Sequence, residues 1–191
     1  MSRFTSGDLV HLSLLLLLGV LPVEAQNLSR LEGVVAVADS QHRDRWGVDG
    51  YHAQSVCDGN TQQAAGPTIW ASDNWEVTHT IALVFPCEVR PQQVLLRWGM
   101  RGDSPLIPRG IRLEGLTASG WVELHSGSPE PEPVTAIALS SEPLRAVLLG
   151  HPPEGACPEA DRRMWLAEFE VMGEKTDASV DAATVAGSIR K

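Results

Sequence analysis

The chain has no block of lysines or arginines and no stripe in which aromatic and basic residues alternate; its 15 Lys and Arg stand against 24 Asp and Glu, for a net charge of −9. A surface of that sign repels phosphate backbones, which excludes nucleic acid as a partner and makes an anionic membrane surface an unfavourable one. There is no HExxH and no GxSxG element, and beyond the N-terminal segment the histidines are scattered at 42, 52, 79, 125 and 151. Neither a zinc-protease helix nor a nucleophile elbow is encoded. Asp and Glu are plentiful enough that a glycosidase pair stays open by residue type alone, so a glycan-processing hydrolase is the enzyme reading to set beside a non-enzymatic one. No CxxC pair occurs among Cys57, Cys87 and Cys157, which removes a thiolate zinc site. In an oxidising compartment these three allow one disulfide, by any of three pairings, with one thiol left over. Nowhere is an apolar period of 3.6 residues sustained, so a helical bundle is excluded as well.

What is present begins with an apolar run, LSLLLLLGVL at 12–21, preceded by Arg3 and His11 and followed by PVEAQ. That is the layout of a secretory signal, and the run is shorter than the ~20 apolar residues of a bilayer span. Val23 and Ala25 are small enough for a signal peptidase, which places cleavage after Ala25 and the mature chain outside the cell. The 166 residues that follow fit one domain.

Along that domain the apolar runs are short, β-branched or aromatic, and broken by Gly, Pro, Asp and Ser. This spacing predicts an antiparallel all-β sandwich of about eight strands. Strands are expected at 33–38, 80–85, 93–98, 110–116, 121–125, 135–139, 146–149 and 164–171, with turns at Pro86, Pro105 with Pro108, 119–120, 126–133 and from His151. The run IALVF at 81–85 is apolar throughout and reads as a central strand buried on both sides. Ile111, Leu113 and Leu116 are separated by Arg112 and Glu114, the pattern of a strand with one wet face. From 174 onward EKTDASVDAATVAGSIRK carries no aromatic residue, and a disordered tail is expected there, with the domain ending at 173.

Seven pieces then appear in a recognisable order: Asp58-Gly59-Asn60, Thr68-Ile69-Trp70, HTIALVFP at 79–86, VLLRWG at 94–99, IPRGIRLEG at 107–115, GWVEL at 120–124 and WLAEFEVMG at 165–173. Together, across 31–173, they resemble the discoidin or coagulation factor type C domains. These are jelly-roll sandwiches of the galactose-binding-like superfamily, related to many carbohydrate-binding modules. Two departures stand out. TQQAAGP at 61–67 lengthens the gap between D-G-N and T-x-W, and the paired cysteines that bracket the animal members are not matched by Cys57 and Cys87.

The resemblance implies a structural calcium ion held by Asp58, Thr68 and Glu168, with Asn60 and the Ala167 carbonyl as further ligands. Calcium takes six to eight hard oxygens, and a loop rich in carboxylates and carbonyls supplies them. Gly59 suits a backbone that must curl through positive φ. Read without the resemblance, Asp58-Gly59 is simply a turn, Thr68 a solvent-facing residue and Glu168 the wet side of a strand.

Relatives of this kind hold ligands in loops at one end of the sandwich, where rings stack on sugar faces. The rings that fall outside the strand pattern here are Trp46, Tyr51 and Trp75, with His52, Asp73 and Asn74 among them, and with His42, Arg43, Asp44 and Arg45 alongside. Trp70, Trp98 and Trp165 read as core. RGDSP at 101–105 lies between two expected strands and is stiffened by Pro105 and Pro108. Integrins read such loops through Arg101, Gly102 and Asp103. The reading that results is a secreted, non-enzymatic module for carbohydrate on a cell surface or matrix, and its alternative is an adhesion protein working through the RGD loop.

Overall fold

Apart from one short helix and a few 3₁₀ turns, the apolar runs fold into antiparallel strands in a computed structural model, which describes residues 25–42, 50–63, 68–73, 78–140 and 142–189. Of the signal segment expected at 1–25, all but Ala25 lies outside the described residues. In chain order the strands are β1 (Gln26–Asn27), β2 (Val35–Ala38), β3 (Trp70–Ala71), β4 (Thr80–Trp98), β5 (Met100–Arg101), β6 (Ser104–Pro105), β7 (Ile111–Thr117), β8 (Gly120–Gly127), β9 (Val134–Ala138), β10 (Leu144–Gly150) and β11 (Trp165–Ser179). Helix α1 (Ala182–Ile189) follows them. None of the helices among the described residues is long and apolar enough to cross a membrane.

β4 links the two layers. Its first part pairs with β2 and β10, and its second with β9 and β11. The first layer therefore runs β2, β4, β10, β7, β8, and the second is β9, β4 and β11 with β1 and β3 attached to β11. The turn expected at Pro86 is instead a bend within this strand. Proline removes only a donor, and the Pro86 carbonyl still accepts the Val180 N–H at 2.8 Å. Because the chain passes down one layer and returns up the other, Thr80 and Trp98 lie at the same end. Asp39 beside Thr80 and Trp70 beside Leu166 meet there through Ser40, whose carbonyl accepts the Trp70 Nε1–H at 3.0 Å.

Ile81, Leu83 and Phe85 point into the main core with Val147, Leu149, Leu113, Trp70, Trp98 and Phe169. Trp70 and Trp98 are fully buried, and each indole N–H finds a partner, Trp98 on Thr135 Oγ1 at 2.8 Å. Every residue of 81–85 is buried, as the sequence requires of a central strand. β7 alternates buried Ile111 and Leu113 with Arg112 and Glu114, again as expected.

The outer side of β4 is covered by the segment expected to be disordered. β11 continues to Ser179, and α1 lays Ala182, Val185, Ala186 and Ile189 against Val35, Val37, Val84, Leu116 and Ala146. Spacings of three and four residues give this short helix an apolar stripe without any aromatic residue, which is why composition alone misread it. Asp181 caps it, accepting the Thr184 N–H at 3.1 Å. The folded body thus reaches 189, not 173.

The disulfide that the cysteine count allows is also absent: Cys57, Cys87 and Cys157 are all free. Cys57 closes a 3₁₀ turn near Glu168, Cys87 lies in the bend of β4, and Cys157 belongs to the small cluster beneath Trp165, so each stands in a different part of the fold.

Candidate functional site

The end of the sandwich where β4 begins and finishes gathers the loops that the sequence singled out. Their footing is a set of backbone bonds. The His42 N–H donates to the Ala71 carbonyl at 2.7 Å, the Asp73 N–H to Ser40 Oγ at 3.1 Å, and the Met164 N–H to Ser72 Oγ at 2.9 Å. These fix the segments around 40, 72 and 164 to one another. Above them Tyr51, Trp165 and His42 form a ring cluster. Tyr51 meets Trp165 nearly edge-on with centroids 5.4 Å apart, and His42 lies 5.2 Å from Tyr51. Tyr51 reaches this position through a left-handed backbone, φ 65°, which a bulky residue adopts only when its surroundings demand it.

Of the ligand residues expected from the sequence, Tyr51, His52 and Asp73 come to this end, His52 with its Nδ1 3.3 Å from Gln41 Oε1. Trp46, Asn74 and Trp75 lie outside the described residues, as do Arg43, Asp44 and Arg45. Trp165 is a core residue, as read, with only 7% of its surface exposed. It is also the backing for Tyr51, a role that β-strand patterning could not reveal. Its Nε1–H is buried without a hydrogen-bond partner among the described residues, as is Nε of Arg163 in the adjoining loop. That loop carries two more left-handed residues, Asp161 and Arg162, at φ 53° and 65°. A separate groove of about 450 Å³ on the outer face of the first layer, between Thr80, Arg112, Glu123 and Pro152, holds none of the rings or donors that the sequence marked.

The RGD segment leaves the same end. β5 and β6 form a hairpin whose tip is Gly102-Asp103, with Gly102 at φ 61°. Arg101, Gly102 and Asp103 are exposed, while Leu106 just beyond them is buried in the cluster with Trp165 and Ile69.

The expected calcium ligands meet a different partner. A β-bulge in β11 sets Ala167 and Glu168 where regular pairing would set one residue, and it turns Glu168 toward the 58–60 loop. Glu168 Oε1 accepts the Gly59 N–H at 2.9 Å and Oε2 accepts Arg30 Nη2 at 3.2 Å. Asp58 Oδ1 accepts the Asn60 N–H at 2.7 Å, and Asn60 Oδ1 accepts the Gln62 N–H at 3.0 Å. Ala167 is buried in the small cluster, and Thr68 is half-buried. Gly59 has φ 101°, and a β-carbon there would strike Arg30 Nη1. Four of the oxygens that calcium would use are thus engaged within the chain, and a guanidinium already faces the buried carboxylate. The residues do not fit a resident calcium ion. More broadly, no group of three or more His, Cys, Asp or Glu among the described residues is arranged to hold a metal.

Burial pushes the Glu168 carboxyl up to about 8, with Asp58 adding to the rise and Arg30 opposing it. A carboxyl raised in the folded state contributes stability that is complete below its unfolded value and is lost as pH climbs through the folded one. The thermal midpoint of the wild type relative to a Glu168→Gln variant is therefore expected to fall between about pH 5 and pH 8. A constant difference across that window would contradict the assignment. Burial likewise raises the Cys57 thiol to about 12 and the Cys157 thiol to about 11, so neither is a nucleophile near neutrality.

A scan against protein-family models gave no match, and a comparison with curated protein sequences gave none either. Solved structures do match the fold. A family 32 carbohydrate-binding module of C. perfringens NanJ, in complex with galactose, shares 14% identity with a TM-score of 0.60, over 78% of this chain and 98% of that one. Another Clostridium perfringens module, CpGH89CBM32-5 in complex with GalNAc-β-1,3-galactose, gives 18% and 0.61 over 76% and 99%. A histidine mutant of the lectin binding domain of Lectinolysin complexed with Lewis b gives 18% and 0.63 over 80% and 99%. At these identities the likeness is one of fold: the chain folds as an antiparallel β-sandwich like those of these modules.

Proposed function

We propose that the chain is a secreted, non-enzymatic carbohydrate-binding module, which seats the sugar of a cell-surface or matrix glycoconjugate on Tyr51 at the loop end of the sandwich. The observation that carries this is the ring cluster. A half-buried tyrosine backed by a buried indole offers a rigid apolar face, which the C–H face of a sugar needs. Polar side chains beside it, the exposed His52 among them, can fix hydroxyls around it. His42, His52 and Asp73 ring the same place. The likeness of the fold to modules solved with galactose, GalNAc-β-1,3-galactose and Lewis b makes galactose-containing glycans the first ligands to try. Purified residues 26–191 on a glycan array should retain such glycans. Failure to retain any glycan, even displayed at high density where weak sites act together, would overturn the proposal.

A second reading has its own observation, the exposed hairpin that carries RGD on a tip with nothing packed against Gly102. Cells bearing integrins should attach to the immobilised chain, and Asp103→Glu, which moves the carboxylate outward by one methylene, should remove most of that attachment. Equal attachment to both chains would sink this reading.

A further inference from the structure

We propose that Arg30 is a built-in cation standing in the place that the family resemblance gives to calcium, so that the 58–60 loop is locked shut without metal. The inference is independent of which ligand the loops take.

Three observations converge on it. First, the guanidinium is paired with Glu168, whose side chain is fully buried; the arginine keeps 30% of its own side chain exposed. Second, it packs so closely on Gly59 that only the missing β-carbon makes room, and the left-handed φ of that glycine brings its N–H onto the other Glu168 oxygen. One carboxylate is thereby satisfied from both sides by the chain itself. Third, the neighbouring acid on β11 is treated in the same way: Glu170 accepts Arg97 Nε at 2.8 Å and Asn27 Nδ2 at 3.0 Å. The short stretch 27–30 thus delivers both a donor to Glu170 and a cation to Glu168. A planar guanidinium suits this job better than an ammonium, because its fork can address a carboxylate while its face lies flat on backbone.

For calcium to enter, Arg30 would have to swing out, Glu168 would have to give up its bond to Gly59, and Asp58 its bond to Asn60. The lock reaches beyond the loop. Gln63, three residues past Asn60, donates through Nε2 to the Trp98 and Pro133 carbonyls at 2.9 and 2.7 Å, and its own carbonyl accepts the Met100 N–H at 2.6 Å. Arg30 therefore steadies, through 58–63, the strand from which the RGD hairpin springs. Neither the stability of the module nor the shape of its loop end should depend on calcium.

The test is the thermal midpoint of residues 26–191 in EDTA and in millimolar calcium, for the wild type, Arg30→Lys and Arg30→Ser, with terbium luminescence sensitised by the tryptophans as a second readout. The wild type should show no calcium shift and no terbium signal, and Arg30→Lys should match it at a slightly lower midpoint. Arg30→Ser should melt several degrees lower in EDTA and recover part of that loss in calcium. A calcium-dependent rise in the wild type, or a terbium signal from it, overturns the proposal and remains readable if Arg30→Ser fails to fold. An Arg30→Ser chain that folds but does not respond to calcium overturns the assignment of Arg30 to the place of the ion and leaves an ordinary ion pair.

Discussion

A chain that stops at 173 is expected to lose on the order of 10 °C in thermal midpoint, or to fail to fold, although the sequence beyond that point looks dispensable. Deleting 174–191 removes the last six residues of β11, which pair with Arg90, Val89 and Cys87 of β4, and all of α1. It uncovers Val37, Val84 and Ala146, now buried under the helix, together with parts of Val35 and Leu116. Returning a few such side chains to water costs roughly 3–5 kcal/mol. The uncovered strands would also present a new apolar face, so the truncated chain should self-associate. Calorimetric scans and light scattering of the two chains would decide the matter. A truncated chain that stays monomeric and melts within about 2 °C of the full one would show that α1 contributes nothing.

The second large effect is on binding. Replacing Tyr51 with asparagine should weaken sugar binding at least tenfold, about 1.4 kcal/mol or more, while lowering the midpoint only slightly. Asparagine is the informative choice because, after glycine, it tolerates the left-handed backbone that residue 51 adopts, so the variant removes the ring without adding strain. Alanine would confuse the two. Trp165 cannot serve in its place, since it is buried in the small cluster with Ile69, Leu106 and Ala160 and its loss would unfold that end. Unchanged affinity in Tyr51→Asn would place the ligand elsewhere, and the 43–49 and 74–77 segments with Trp46 and Trp75 would become the next targets.

Most of the strand pattern was legible because a two-residue alternation and a run such as IALVF report burial directly. What was not legible depended on contacts distant in sequence. The tail from 174 reads as disordered until the bare outer side of Val84 and Ala146 is known to need a cover. Pro86 reads as a turn because local chemistry favours one, yet the strand bends and continues because its carbonyl is still in demand. The carboxylate of Glu168 and the Asp58-Gly59-Asn60 loop were visible as a pair, but nothing in their spacing announces that Arg30, 138 residues from Glu168, supplies the positive charge between them. Tyr51 could be named as a candidate ring, whereas its backing by Trp165 emerges only when the turn at 53–57 that follows it packs against β3 and β11.

The central claim is that the loop end around Tyr51 holds a sugar, and amide and indole chemical shifts recorded while galactose is added test it most directly. The expected result is saturable movement concentrated at Tyr51, His52, Asp73 and the Trp165 indole N–H, with the outer groove near Arg112 and Glu123 unmoved. Shifts confined to that groove, or no saturable shift for galactose or for GalNAc-β-1,3-galactose, would contradict it.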